Sequence, residues 1–320
     1  MKAALVQAAG ATPVYGDFAA PGGVADGMAR VTVAASALSH VTKSRASGKH
    51  YSASGGLPFV PGVDGTGVLD DGTRVYFFLP EAPFGGMAEV CLVRKAHCIA
   101  LPPELGDVMA AAIAIPGMSS WAALMERARL VAGETVLING ATGSSGRLAV
   151  QIAKYLGAGK VIATGRNAQA LQSLHAVGAD VTINLAQDAA ALEHALQSQF
   201  RDGIDVVLDY LWGASAEQLL AAATRATPDA VPLRFIQIGA ISGPDITLPS
   251  AALRSSSIEL KGSGMGSISL PRILHTMQQL LQDAVPAGLE IATNVIPLAQ
   301  VAEHWTDQGQ ARVVFTMGLG

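Results

Sequence analysis

The sequence predicts an α/β protein in which a doubly wound parallel sheet is joined to a second, β-rich domain. Three observations carry that reading. A short apolar strand at 134–139 runs into a cluster of small residues and then into a helix. From there to residue 261, apolar strand candidates alternate with helical patterns. Residues 1–100 instead carry short strands separated by glycine and proline turns, without that alternation.

Composition narrows the function classes. The 320 residues are 50% apolar and 14% charged, with a net charge of −4. That length suits two domains with sizeable cores. No apolar run is expected to be long enough to cross a bilayer. Met1 to Gln7 offer one lysine and too short an apolar core for a secretory signal, so a cytoplasmic protein is expected. The acidic balance provides no basic stripe for nucleic acid or anionic lipid. Cys91 and Cys98 make neither a disulfide framework nor a metal cluster, and read as small buried hydrophobes.

Taken from the N-terminus, residues 29–35, 74–78 and 88–93 read as strands bounded by turn residues at 20–23, 61–62 and 70–72. The glycine-rich run from Val63 to Leu69 reads as a strand with other backbone pressed close against it. From Pro102 the chain turns alanine-rich and helical, and Pro116 and Gly117 break that helix, placing a domain junction there. Later strands are predicted at 160–164, 181–184, 204–209, 234–239 and 257–261. Helices at 168–177, 189–200 and 215–224 fill the gaps between them. Strands so uniformly apolar imply a sheet buried on both faces. An amphipathic helix over 270–281 and strands at 291–296 and 312–316 close the chain and are assigned back to the first domain.

The stretch ETVLINGATGSSG at 134–146 is where a ligand is expected. The strand ends on Asn139, small residues turn the backbone, and apolar positions 148, 149, 152, 153 and 156 carry a helix expected from Arg147 onward. Unpaired N–H groups at the positive end of such a helix hold a pyrophosphate without help from a cationic side chain. Ala141-x-Gly143-x-x-Gly146 is a dinucleotide fingerprint with alanine at the first glycine. Gly143 allows close approach of the cofactor, and Gly146 allows tight packing of helix on strand. Thr142 lies in the same loop, and Ser144 and Ser145 add hydroxyls. Other small-residue turns at 164–166, 209–213 and 239–243 also follow strands, where ligands of doubly wound sheets bind. The second strand closes on Thr164, Gly165 and Arg166, with no carboxylate for the ribose hydroxyls. A guanidinium there grips a 2′-phosphate through paired charged hydrogen bonds, which predicts NADPH. The alternative is a turn that binds nothing.

Further motifs, met in order, resemble the medium-chain dehydrogenase/reductase superfamily and within it the zinc-independent, zeta-crystallin-like quinone oxidoreductases. They are LPFVPGVDGTG at 57–67, GGMAE at 85–89, PGMSSWAAL at 116–124, IDVVLD at 204–209, IQIG at 236–239 and ARVVF at 311–315. The resemblance implies a chaperonin-10-like (GroES-like) β-barrel catalytic domain from 1–117 and 264–320. Between them it implies an inserted Rossmann dinucleotide-binding domain at 118–263. It also implies that Ser119 lies against the nicotinamide ribose, and that Gly239, Ala240, Gly264 and Met265 sit in loops around the ring. Relatives pair along the last strand of the sheet, so a homodimer is expected through residues 257–261.

The same resemblance bears on metal and mechanism. Zinc-dependent members hold the ion with a Cys before a His and with a His-Glu pair in the glycine motif. Here Ser39 precedes His40, Val63 and Asp64 replace the pair, and only Cys98 lies near the position of a structural four-cysteine lobe, so no metal is expected. Hydride transfer without a Lewis acid suits electron-poor acceptors such as quinones and α,β-unsaturated carbonyls. Quinone oxidoreductases often carry Asn, Asp and Tyr in the segment matching 39–44, where this chain has Ser39, Thr42 and Ser44. His40, Lys43 and Tyr51 are the nearby groups able to donate a proton. The other course is reaction without a protein acid, by positioning and exclusion of water. Rival readings are a non-catalytic NADPH-binding protein and an enoyl-thioester reductase; the second calls for a basic rim to meet substrate phosphates, and no such cluster is seen. A short-chain dehydrogenase needs Tyr-x-x-x-Lys, and Tyr155 is followed at that spacing by Gly159.

Overall fold

The structure is a computed structural model that describes residues 1–48, 56–307, 309 and 311–318. It divides into two compact units. One comprises Met1–Ile115, Met277–Val285 and Glu290–Gly320, and the other Pro116–Thr276 and Pro286–Leu289.

The first unit opens with an antiparallel pair, β1 (Lys2–Leu5) and β2 (Val14–Asp17). There follow β3 (Met28–Ala37), α1 (His40–Ala46), β4 (Asp64–Leu69), β5 (Arg74–Phe78), β6 (Val90–Arg94) and β7 (Cys98–Ala100). Inward positions Ala29, Val31 and Val33 of β3 meet Val75 and Phe77 of β5 and Met87 in one apolar core. The crowding expected around β4 is present. A Cβ built on Gly67 would stand 2.2 Å from the Thr32 carbonyl oxygen, so a side chain there would part β4 from β3.

Helix α2 (Asp107–Ala122) corrects two expectations. It passes through Pro116 without ending, and it continues as a π-helical turn over Ala123–Ala128. Proline removes one helical N–H and crowds the carbonyl four residues back. That residue is Ala112, in a run of strong helix formers whose members 110–114 are fully buried, and this packing outweighs the break. The combined helix Asp107–Ala128 is also long and apolar enough to cross a membrane, contrary to the sequence expectation. Its most apolar window is 67% buried within the protein, so its apolar surface is already used in packing.

The second unit is strand-helix alternation throughout: β8 (Thr135–Asn139), α3 (Ser144–Tyr155), β9 (Lys160–Gly165), α4 (Ala168–Ser173), β10 (Val181–Asn184), α5 (Ala189–Asp202), β11 (Val206–Asp209), α6 (Gly213–Ala226), β12 (Pro232–Gln237), α7 (Ser250–Arg254) and β13 (Ser257–Gly262). Its six strands are all parallel in the order β10-β9-β8-β11-β12-β13, the doubly wound arrangement the sequence predicts. Leu137, Ile162, Val207 and Phe235 of the central strands pack with Leu196, Phe200 and Leu219 of the helices. Strand β13 lies at the edge of the sheet, where its outer ladder is open.

Helix α8 (Leu270–Asp283), β14 (Thr293–Pro297), α9 (Val301–His304) and β15 (Arg312–Thr316) complete the chain. Strand β15 pairs parallel with β14 and antiparallel with β3, giving the order β14-β15-β3-β4-β5-β7 with β6 also against β3. Residues 264–276, expected with the first domain, belong to the second unit. Long side chains tie them there. Arg127 Nε donates to the Gly262 carbonyl at 2.8 Å, and Arg272 grips Glu126 with nitrogens 2.6 and 3.0 Å from its carboxylate oxygens.

Candidate dinucleotide site

Strand β8 closes on Asn139, and Gly140 then takes φ +89°, a left-handed conformation that costs glycine nothing. The turn is therefore made one residue ahead of Ala141, which is fully buried and needs no special backbone. Helix α3 begins at Ser144, three residues earlier than expected, and Gly143 caps it in extended backbone with no side-chain cap bond. The early start was hidden because Ser144, Ser145 and Gly146 are poor helix formers and supply no apolar positions. A Cβ on Gly146 would lie 2.4 Å from the Gly140 carbonyl oxygen and 2.5 Å from Ala141 Cα, so this is where helix and strand touch. A Cβ on Gly143 would meet nothing within 4 Å. The cradle is thus closed at Gly146 and open at Gly143.

Beneath the loop, a buried polar network fixes the strand ends. Thr164 Oγ1 donates to Asn139 Oδ1 at 2.7 Å and accepts from the Gly140 N–H at 3.3 Å. Asn139 Nδ2 donates to Asp209 Oδ1 at 2.8 Å, and the Asp209 carboxylate accepts from the N–H groups of Leu211 and Trp212 at 3.0 and 3.1 Å. Burial raises the Asp209 pKa, and those three donors oppose the rise. The network also aligns the edges of the loops. Asn139 stands in register with Thr164 and Asp209, and Asp209 with Gln237. Sequence reasoning missed Asn139 and Asp209 as organisers; the available signal was a polar residue closing an otherwise apolar strand.

Residues 141–146, Thr164, Gly165, Arg166, Gly239 and Ala240 consequently gather at the carboxyl edge of the sheet. Gly165 faces Thr142, whose Cγ2 would lie 2.5 Å from a Cβ there. Arg166 is exposed immediately beyond β9. Gly264 and Met265 follow β13, with Met265 bridged to Ile268. Ser119 lies on α2 and donates to the Pro116 carbonyl at 2.8 Å. Its neighbour Ser120 sits between the Tyr210 hydroxyl (2.7 Å) and the Ser145 carbonyl (3.1 Å), linking α2 to the start of α3.

The proton-donor candidates belong to the first unit. His40 opens α1, and although the residue is exposed overall, its ring is partly desolvated. That desolvation lowers its pKa, as do the charges of Lys43 and Arg312, so the ring is neutral at pH 7. Burial also lowers the pKa of Lys43, with Asp307 opposing, and its Nζ donates to the Asp307 carbonyl at 3.3 Å. Tyr51 lies outside the described residues. At the positions of zinc ligands in relatives, Ser39 Oγ accepts from the Thr42 N–H at 3.0 Å as the cap of α1, and Val63 has no donor atom. Asp64 is fully buried and accepts from the Tyr76 hydroxyl at 3.1 Å. Among the described residues, no three His, Cys, Asp or Glu side chains converge. Cys91 is buried and Cys98 half-buried, and burial pushes the Cys98 thiol up to about 11.

A family model described as zinc-binding dehydrogenase matches residues 146–284. A protein of Emericella nidulans named "probable NADPH-dependent quinone reductase" is 28% identical over 348 residues, covering 96% of this chain and 97% of its own. A phthioceranic/hydroxyphthioceranic acid synthase of Mycobacterium bovis is 35% identical over 203 residues, which is 59% of this chain and 9% of the synthase. The quinone oxidoreductase of Thermus thermophilus, also solved with NADPH, matches 99% of this chain and 100% of its own with a TM-score of 0.82 at 24% identity, a likeness of fold. The parallel sheet, the glycine turn into α3 and a relative aligned end to end agree, and in them the chain is similar to the quinone oxidoreductases of the medium-chain dehydrogenase/reductase superfamily.

Proposed function

We propose that the protein is an oxidoreductase that uses NADPH to reduce a quinone or an α,β-unsaturated carbonyl without zinc. The observation that carries this reading is the cradle at the carboxyl edge of the parallel sheet, with uncapped N–H groups at α3, open space beside Gly143 and a cation at the end of β9. The N–H groups of Ser144, Ser145 and Gly146, at the positive end of α3, hold the pyrophosphate. Ala141 and Thr142 shape the turn beneath it, and Thr164 and Gly165 bring Arg166 to the 2′-phosphate. Gly239, Ala240, Gly264, Met265 and Ser119 surround the nicotinamide end. The bound cofactor supplies the hydride.

The donor set argues for an acceptor that needs no Lewis acid. Ser39 is committed to its helix cap and Val63 is apolar, so a zinc site with three protein ligands lacks two of them. His40 is neutral and Lys43 is engaged with a carbonyl, which favours catalysis by positioning over transfer from a protein acid. Similarity along both whole chains is to a protein named for quinone reduction, whereas similarity to the synthase spans 9% of that protein, which supports a quinone over an enoyl thioester. The purified protein is expected to oxidise NADPH with benzoquinone or an enone, and to do so equally after dialysis against a chelator. Tight NADPH binding with no turnover across a panel of acceptors would favour the non-catalytic alternative.

Arg166 discriminates the cofactor on this reading. A charge-assisted hydrogen bond is worth about 1.5 to 3 kcal/mol, so Arg166→Ala is expected to lower kcat/KM with NADPH roughly 10- to 150-fold and to change NADH little. Equal losses with both cofactors would mean that Arg166 supports the loop and does not read the phosphate.

A further inference from the structure

A cavity of about 230 Å³ lies in the first unit, between α1, residues 57–63 and the loop at 80–84. That is the space of roughly eight waters, enough for a small ring system. Its lining is largely apolar, with Leu57, Phe59, Val60, Pro83 and Phe84 among its members, and Arg45 is the one charged residue among the described residues that line it.

Arg45 is a partly buried cation at the cavity wall. Its guanidinium is half-buried, and burial alone lowers its pKa, with no carboxylate opposing the shift. Among the described residues, it has no hydrogen-bond acceptor and no ion-pair partner, whereas Arg74, Arg225, Arg234 and Arg272 all pair with carboxylates. A partly desolvated charge without a partner among the described residues is more weakly hydrated than a free one, and an anion supplied from solution would pair with it. Guanidinium presents a planar fork to a carboxylate or an ionised hydroxyl, and the apolar walls suit the body of a ring.

We propose that this cavity is a binding site for a small organic acid, its anionic group on Arg45 and its apolar ring against Phe59, Pro83 and Phe84. The site does not depend on the cofactor cradle or on the identity of the electron acceptor.

Two probes with the same ring system, naphthoate and naphthylmethanol, separate charge from shape. Titration calorimetry of the wild type is expected to show naphthoate binding at least ~10-fold more tightly than the alcohol, as a charged hydrogen bond requires. Arg45→Gln removes that preference, Arg45→Lys retains part of it, and the alcohol binds all three proteins within roughly 2-fold because only the anion uses the charge. Ala82→Trp, at the exposed rim of the cavity with Arg45 intact, weakens both probes and keeps the test independent of whether Arg45→Gln folds. No preference in the wild type, a preference that survives Arg45→Gln, or binding untouched by Ala82→Trp would each overturn the assignment. NADPH binding and oxidation, measured alongside, are expected to persist in every variant, so failure of this site and failure of the enzymatic reading are distinguished.

Discussion

Gly146→Ala is expected to collapse the cofactor cradle, lowering both stability and NADPH affinity. Two effects compete. Alanine is the better helix residue by about 1 kcal/mol, and Gly146 lies in the first turn of α3. Against this, its Cβ would come within 2.4 Å of the Gly140 carbonyl oxygen and 2.5 Å of Ala141 Cα. Both are backbone atoms of the turn, so no rotamer change relieves the overlap and the helix must move off the strand. Overpacking of this kind typically costs about 1–3 kcal/mol and lies at the upper end here because it involves backbone, so after the helix gain a net loss of roughly 2 kcal/mol is expected. Because the displaced atoms are the cradle itself, NADPH affinity should fall as well, and turnover should drop on the order of 100-fold, as misplacement by an ångström costs. Gly143→Ala is the control. It meets no atom within 4 Å, so thermal stability should be unchanged while the methyl group enters the space facing the ligand. Thermal denaturation, fluorescence titration with NADPH and steady-state turnover measure the three quantities. A Gly146→Ala protein as stable and as tightly binding as the wild type would mean that helix and strand are not in contact there.

The other large effect is a pH dependence of stability at Asp64. Its Oδ2 accepts from Tyr76, while Oδ1 and two guanidinium nitrogens of Arg312 are buried without hydrogen-bond partners among the described residues. Burial pushes the Asp64 carboxyl up to about 7 from an unfolded value of 3.8, against the opposing influence of Arg312 and Tyr76. The folded protein therefore keeps this proton across the window from about pH 4 to about pH 7, whereas the unfolded chain releases it near pH 4. The associated stability is fully present below that window and is lost as pH rises through it. About three pKa units at ~1.4 kcal/mol each give a swing of roughly 4 kcal/mol. Asp64→Asn preserves shape and removes the titration, so the cost of the substitution should shrink between about pH 5 and about pH 8. The wild type is already neutral at this position near pH 5, so the lost counter-charge to Arg312 matters little there. Denaturant unfolding at the two pH values reads the difference directly. Parallel pH profiles would show that Asp64 is ionised against Arg312 throughout.

Much of the second unit was legible because its signals are local. The apolar strands, the turns that follow them and the paired leucines of the helices each depend on neighbours within a few residues, and the strands emerge in the expected places with β13 at the edge. The place of Arg166 was legible in the same way, as the residue after a strand end. Where local rules conflicted with packing, they failed. Pro116 should stop a helix, but burial of the alanine run around it carries α2 through. Ser144 to Gly146 should precede a helix, but they form its first turn, which holds no apolar residue to reveal it.

The sequence by itself determined that a strand, a glycine turn and a helix would follow one another with a basic residue at the next strand's end, because backbone conformation and turn chemistry act over short stretches of chain. Only the tertiary structure decided which polar groups lose their water. Asp64 and Arg312 are neighbours because β4 and β15 both flank β3, and Arg45 is set into an apolar cavity by segments at 57–63 and 80–84. Desolvation depends on every atom nearby in space, and those atoms come from stretches of chain that no local pattern relates.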